Sequence, residues 1–243
     1  MRTAVLADIH ANQAALEAVL EDLTGQRVSE ILCLGDSIGY GPDPGEVIGE
    51  LRQRGVVSVL GNHEYAVLNR AYLERMKPDP KRSLAMTLQM LQPEDLDFIV
   101  NLEPILVHSG ARLVHGCPPR SPTCYLFYPS ARVLDRIFTS FPERICFYGH
   151  THTLSFFEQG LPPEKGQEAE LGTYRLHPDR RYLINPGSVG QPRDGINNHA
   201  KYLLWDQDRG TVTFRAVAYD VPRTVNRLRH LGFPSFNAER LVW

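Results

Sequence analysis

The feature that most constrains this chain is an alternation in its first quarter. RTAVLAD is a short apolar run of the buried-strand type. NQAALEAVLEDL follows, with Leu16, Val19, Leu20 and Leu23 on one helical face and Asn12 placed as N-cap. SEILCLGD is a second apolar strand. DPGEVIGELRQRG is a second helix, with Asp43 as cap, Pro44 at its first position, Glu46 three residues after the cap and Gly55 as its stop. VVSVLGNHE is a third strand ending in a turn. Strands that alternate with helices predict a parallel α/β sheet.

The rest of the chain has a different texture. Residues 64–101 read as helical, broken by KPDPKR around Pro78 and Pro80. PILVHSG and ARLVHGCPP predict a hairpin turning at Ser109 and Gly110. The helix PSARVLDRIFTSF leads to the strand RICFYGH, and β-like runs follow: HTLSFFEQ, YRLHP, RYLINPGS, KYLLWDQ and TVTFRAVAY. VPRTVNRLRHLG reads as a closing helix. With no repeat and no dividing linker, residues 1–243 read as a single domain with a lid-like helical insertion at about 64–101. The final FPSFNAERLVW packs either within the chain or at a homo-oligomer interface.

Composition narrows the function classes. A net charge of -2 offers no dedicated nucleic-acid surface, though it leaves a small nucleotide substrate open. Asp8 and His10 interrupt the opening apolar run before a signal-peptide core forms, and no window approaches the roughly 20 apolar residues of a membrane span. Cys33, Cys117, Cys124 and Cys146 show no metal-type spacing and read as reduced thiols. The expectation is a cytoplasmic globular protein without a membrane partner.

Each apolar strand ends in groups able to bind metal. Asp8-Ile9-His10 follows the first, Gly35-Asp36 the second and Gly61-Asn62-His63-Glu64 the third. His115-Gly116 follows ARLV, and Gly149-His150-Thr151-His152 follows ICFY, its two imidazoles projecting from one side of an extended segment. In open α/β sheets ligands sit beyond the carboxyl ends of strands, so the five clusters are expected to converge. Asp and Asn oxygens with His nitrogens suit Mn, Fe, Zn, Ni or Co. Asp8, His10, Asp36, Asn62, His115, His150 and His152 are too many for one tetrahedral ion. They suit two divalent ions sharing a bridging carboxylate, roughly 3.5–4 Å apart, an arrangement that clamps phosphoryl oxygens.

DIH, GD, GNHE, HG and GHTH, in that order, resemble the calcineurin-like metallophosphoesterase superfamily. NPGS at 185–188, followed by PRD, resembles its small prokaryotic phosphodiesterase branch. The resemblance implies a four-layer α/β/β/α sandwich of two mixed sheets flanked by helices. It implies one metal site of Asp8, His10 and His152, another of Asn62, His115 and His150, and Asp36 between them. His63 matches the residue that protonates the leaving oxygen, and Asn12 an asparagine near the substrate. The expected reaction is attack by a metal-bridging hydroxide on a small phosphodiester, a cyclic nucleotide among the candidates, or on a phosphomonoester.

Departures from the family pattern shape the substrate reading. GDSIGYG lacks the arginine that follows the bridging aspartate in protein phosphatases, so clamps are expected from Arg193 and Arg120, with Tyr40 in a loop near the site where it can stack on a base. GNHE also resembles dinucleoside polyphosphate hydrolases, a second enzymatic reading. A non-catalytic metal-binding scaffold is the alternative from another class; His63, present with every ligand, favours the enzyme.

Overall fold

The computed structural model describes residues 1–166 and 168–243. Its strands form two mixed sheets. In the first, β1 (Arg2–Leu6), β2 (Glu30–Cys33) and β3 (Val57–Ser58) run parallel, and β10 (Ala200–Asp206), β11 (Thr211–Val217) and β8 (Gly172–Arg175) continue antiparallel from β1. In the second, β5 (Ala111–Val114), β6 (Ile145–Phe147) and β9 (Tyr182–Pro186) run parallel, edged by β4 (Ile105–His108) and β7 (Leu154–Glu158).

Side-chain alternation makes the layers. Val5 of β1 and Ala7 just beyond it share a core with Leu113, Phe147, Ile184 and Trp205, which places the sheets face to face. Ala4 and Leu6 point the other way, onto Leu16 and Val19 of α1 (Gln13–Thr24). On the far side, Val114 and Cys146 pack against Leu134 and Phe138 of α7 (Ala131–Thr139). Strands buried on both faces must be apolar throughout, which is why RTAVL and ILC read as continuous runs. The outcome is the four-layer sandwich the sequence implied.

Several local readings hold and others change. Asn12 caps α1 by accepting from the Ala15 amide. Ser109 and Gly110 both sit at positive φ, 51° and 79°, as a tight two-residue hairpin requires. Asp43 precedes α2 (Pro44–Gln53) without a side-chain capping bond, because its carboxylate pairs instead with Arg227 of α8 (Val221–His230). The 64–101 segment breaks at Met76 and Lys77, where KPDPKR begins, as expected. Pro78 opens α5 (Pro78–Met90) and Pro80 lies in its first turn, where no intrahelical donor is lost. The other helices there are α3 (Asn62–Leu68), α4 (Arg70–Arg75) and α6 (Pro93–Val100).

Leu84, Leu91 and Ile99 of this helical segment pack with Ile38 and Ile48, while Met86 and Met90 meet α8 and the C-terminal tail. The tail contains α9 (Ser235–Glu239) and packs within the chain through Phe233 and Leu241. Among the described residues no helix is long and apolar enough to cross a membrane. The four cysteines are unbridged.

Candidate active site

The parallel strands of both sheets deliver their following loops to one place, and backbone bonds sew those loops together. Asp8 N–H donates to Gly35 O at 3.1 Å, Gly149 N–H to His115 O at 2.7 Å and Gly190 N–H to Asp8 O at 3.0 Å. The NPGS segment after β9 completes the seam. Asn185 Nδ2 donates to Gly149 O, and Ser188 Oγ to Asp8 O at 2.7 Å. All seven residues expected to hold metal, with His63, are buried around this seam.

The orientation of the imidazoles shows what belongs among them. His10, His115 and His152 each set Nδ1 against a backbone carbonyl: Ile38 O at 3.0 Å, Leu34 O at 2.8 Å and Gln191 O at 2.6 Å. A carbonyl only accepts, so each ring carries a hydrogen on Nδ1, and in its neutral form turns a lone pair inward from Nε2. Those lone pairs then face other acceptors. His10 Nε2 lies 3.1 Å from His152 Nε2, and His115 Nε2 lies 3.1 Å from both Asn62 Oδ1 and His150 Nδ1. Asp8 Oδ1 is buried without a hydrogen-bond partner, 3.4 Å from His152 Nε2. Ligand atoms about 2.1 Å from one ion at right angles lie about 3 Å apart, so these separations fit cations.

The donors divide into two groups, Asp8, His10 and His152, and Asp36, His115 and His150. Asp36 links them. Its Oδ1 accepts from the His63 amide at 2.9 Å, which leaves Oδ2 3.3 Å from His115 Nε2 and 3.6 Å from His10 Nε2. A third grouping of His10, Asp36 and His63 also comes within ligand range. Burial holds His10, His150 and His152 well below the ordinary imidazole value, keeping them in the neutral form that ligates. Burial pushes Asp36 up, and the charges of His115, His63 and His10 more than reverse it. His115 is the exception, because Asp36 and Asp8 outweigh its burial and raise it to about 9.

His150 and His152 do not sit on one side of an extended segment, as their spacing suggested. β6 ends at Phe147, and both residues adopt positive φ, 70° and 59°. Those turns send His150 to one donor group and His152 to the other.

The expected substrate contacts separate more widely. Arg193 sets its guanidinium 5.8 Å from the centre of the Tyr40 ring, and that ring lies 4.6 Å from both His10 and His63. Tyr40 and Arg193 are therefore at the site. Asn12 is buried with its side chain committed elsewhere: Nδ2 donates to Gly190 O and Tyr219 Oη, while Oδ1 accepts from Ala15 N and Thr224 Oγ1. Nothing is left with which to meet a substrate, so Asn12 braces the loop instead. Arg120 is exposed, and among the described residues its side chain has no hydrogen bond or ion pair connecting it to the cluster.

Sequence reasoning undervalued Glu64. Its buried carboxylate accepts from the amides of Asp36, Ser37, Ile38 and Gly61 at 2.7–3.2 Å. It shapes the loop that carries Asp36. Tyr125, half-exposed, stacks face to face on His150 with centroids 3.6 Å apart. A stretch such as TCYLFYP carries no sequence signal for that contact.

Comparison with known proteins matches this geometry. The calcineurin-like phosphoesterase superfamily domain matches residues 1–210. The chain belongs to this superfamily. A crystallised metallophosphoesterase from Sphaerobacter thermophilus is 34% identical, covering 99% of this chain and 98% of its own, with a TM-score of 0.86. An uncharacterised protein of Methanocaldococcus jannaschii is 33% identical over 98% of this chain and 96% of its own length. A hypothetical protein from Pyrococcus horikoshii, 20% identical over 99% of this chain and 97% of its own, shares the fold with a TM-score of 0.80. The chain is thus a phosphoesterase-family protein of the small prokaryotic type with a His/Asp cluster suited to metal.

Proposed function

We propose that this calcineurin-like phosphoesterase is a dimetal hydrolase of a small phosphate ester, with a diester preferred to a monoester. The observation that carries the reading is the set of Nε2 atoms of His10, His152 and His115 turned inward on one another's acceptors, with Asp36 Oδ2 between the two groups. Asp8, His10 and His152 would hold one ion and Asn62, His115 and His150 the other, with Asp36 placed to reach both. Mn, Fe, Ni, Co and Zn all fit such donors. When bound, two such ions acidify water and offset phosphoryl charge.

The chain's own groups supply orientation and a proton. His63 Nε2 lies 4.0 Å from Asp36 Oδ2, at the edge of the cluster, which suits a proton donor to the leaving oxygen. Burial lowers its proton affinity, against the pull of Asp36. An arriving phosphate adds negative charge beside it and favours the imidazolium. Arg193 is the guanidinium available to a phosphoryl oxygen. The Ser37 and Ile38 amides are taken by Glu64, and no arginine follows Asp36, so a dianionic monoester finds fewer partners here than a diester. The 64–101 helices continue from α3, which begins at Asn62 and His63, and we read them as shaping specificity. Unbridged cysteines, with Cys33 and Cys146 buried, suit a cytoplasmic setting.

The test is turnover after chelation and Mn²⁺ restoration, with bis-p-nitrophenyl phosphate and p-nitrophenyl phosphate as reporters. The reading expects metal-dependent turnover, faster on the diester, and a drop of about 10²–10⁴-fold in kcat for His63→Ala with metal content unchanged. A metal-loaded wild type inert on both reporters and on a nucleotide panel would overturn it.

A further inference from the structure

Arg193 is not alone at the mouth of the site. A cavity of about 270 Å³ beside it is lined by Pro192, Arg193, Gly195, Arg240 and Trp243. Arg240 follows α9 and rests its guanidinium 5.4 Å from the centre of the Phe236 ring, which in turn meets the Tyr40 ring edge-on at 5.9 Å. Tyr40 thus has Arg193 over one side and the Phe236–Arg240 pair on another, with His10 and His63 beneath. Asn237 fixes this arrangement, since its buried Nδ2 donates to Tyr40 O at 2.6 Å.

Two guanidiniums on one cavity repel unless an anion lies between them. Arg193 Nη2 donates to the neutral Gln191 Oε1 at 2.6 Å, and its Nε is buried with no partner. Among the described residues neither arginine forms an ion pair with a carboxylate. Asp79 is near enough for its charge to reach Arg240, and Asp194, next to Arg193, pairs with Lys201. Crowding and the charge of Arg193 both push the Arg240 guanidinium down, the response of a cation facing another cation.

We infer that Arg193 and Arg240 form a second anion subsite, one group further out than the metal cluster, so the preferred substrate carries a further phosphate beyond the scissile one. This rests on the hydrolase reading for its consequence and on the arginine pair alone for binding. The substrate class is a pyrophosphate-bridged or additionally phosphorylated ester. Arginine suits the role because its planar fork meets phosphate oxygens two at a time.

Binding and turnover separate the two readings. In the first arm, chelator-stripped protein is titrated with inorganic pyrophosphate and with orthophosphate by calorimetry. Pyrophosphate is expected to bind at least tenfold more tightly than orthophosphate, and Arg240→Gln and Arg193→Gln each to weaken it at least fivefold. Arg240→Lys, which keeps a charge on the same tail but loses the fork, is expected to bind between wild type and Arg240→Gln and guards against a merely unfolded tail. In the second arm, Mn²⁺-loaded protein is compared on p-nitrophenyl esters of a nucleoside monophosphate and a nucleoside diphosphate. The diphosphate-to-monophosphate ratio of kcat/KM is expected to fall at least fivefold in Arg240→Gln. Pyrophosphate affinity unchanged in a folded Arg240→Gln would overturn the subsite. Intact, arginine-dependent pyrophosphate binding in a protein that turns over nothing would uphold the subsite and overturn the hydrolase reading.

Discussion

Asp8, His10, Asp36, His150 and His152 all sit at positive φ, between 50° and 70°. Non-glycine residues in that region cost of order 1–3 kcal/mol each, with Asp near the low end, and such strain gathers where function requires it. The convergence of these candidate ligands was legible because each strand end carried Asp, Asn or His. Their backbone was not, since apolar runs and glycines mark where a strand stops without saying how the next residue turns. Two glycines show a requirement of a different kind. A Cβ on Gly39, itself at φ 82°, would run into the His63 ring, and one on Gly61 would run into the Asp36 backbone and carboxylate. Gly39→Ala is therefore expected to cut kcat at least tenfold while plasma emission finds the metal content of wild type. Wild-type kcat in that variant would show that the His63 ring position does not limit the reaction.

At the scale of elements, two side chains hold the strand-end loops in place. Glu64 accepts four backbone amides from the turn that follows β2 and the start of α3. Removing its charge leaves those donors poorly met, and Glu64→Gln is expected to lose about 1–3 kcal/mol of stability together with metal affinity, by urea unfolding and metal titration. Asn12 both caps α1 and braces Gly190, Tyr219 and Thr224. Asn12→Ala is expected to cost about 1–2 kcal/mol with KM unchanged, whereas a raised KM at wild-type stability would return it to the substrate. The α1 cap and the helical face were plain in NQAALEAVL. The Asp36, Ser37 and Ile38 partners of Glu64 were not, because they come from a turn distant in sequence; only its capping-box bond to the Gly61 amide is local.

For the whole molecule, the sequence placed the parallel strands correctly because buried strands need unbroken apolar runs, and it placed the site because such strands deliver their ends together. It left out how the C-terminal tail closes over that site, since Asn237, Phe236 and Arg240 act through contacts with a loop nearly two hundred residues earlier. Long-range charge also ties the sandwich. Burial pushes Asp22 up, and hydrogen bonds from Arg215 and Tyr202 more than reverse it, so its carboxyl titrates below the ordinary value. A depressed carboxyl stabilises the fold above its unfolded value of about 3.9 and loses that contribution as pH falls through the folded value. Asp22→Asn is expected to lower the urea midpoint at pH 7, and the gap to wild type should narrow toward pH 3. A gap independent of pH would remove the charge from the explanation.

The central claim is that the strand ends of two sheets hold a pair of divalent ions joined through Asp36. Anomalous diffraction from crystals grown with Mn²⁺ tests it most directly. The account predicts two peaks, roughly 3.5–4 Å apart, on either side of Asp36 Oδ2. A single peak, or none among these residues, would contradict it.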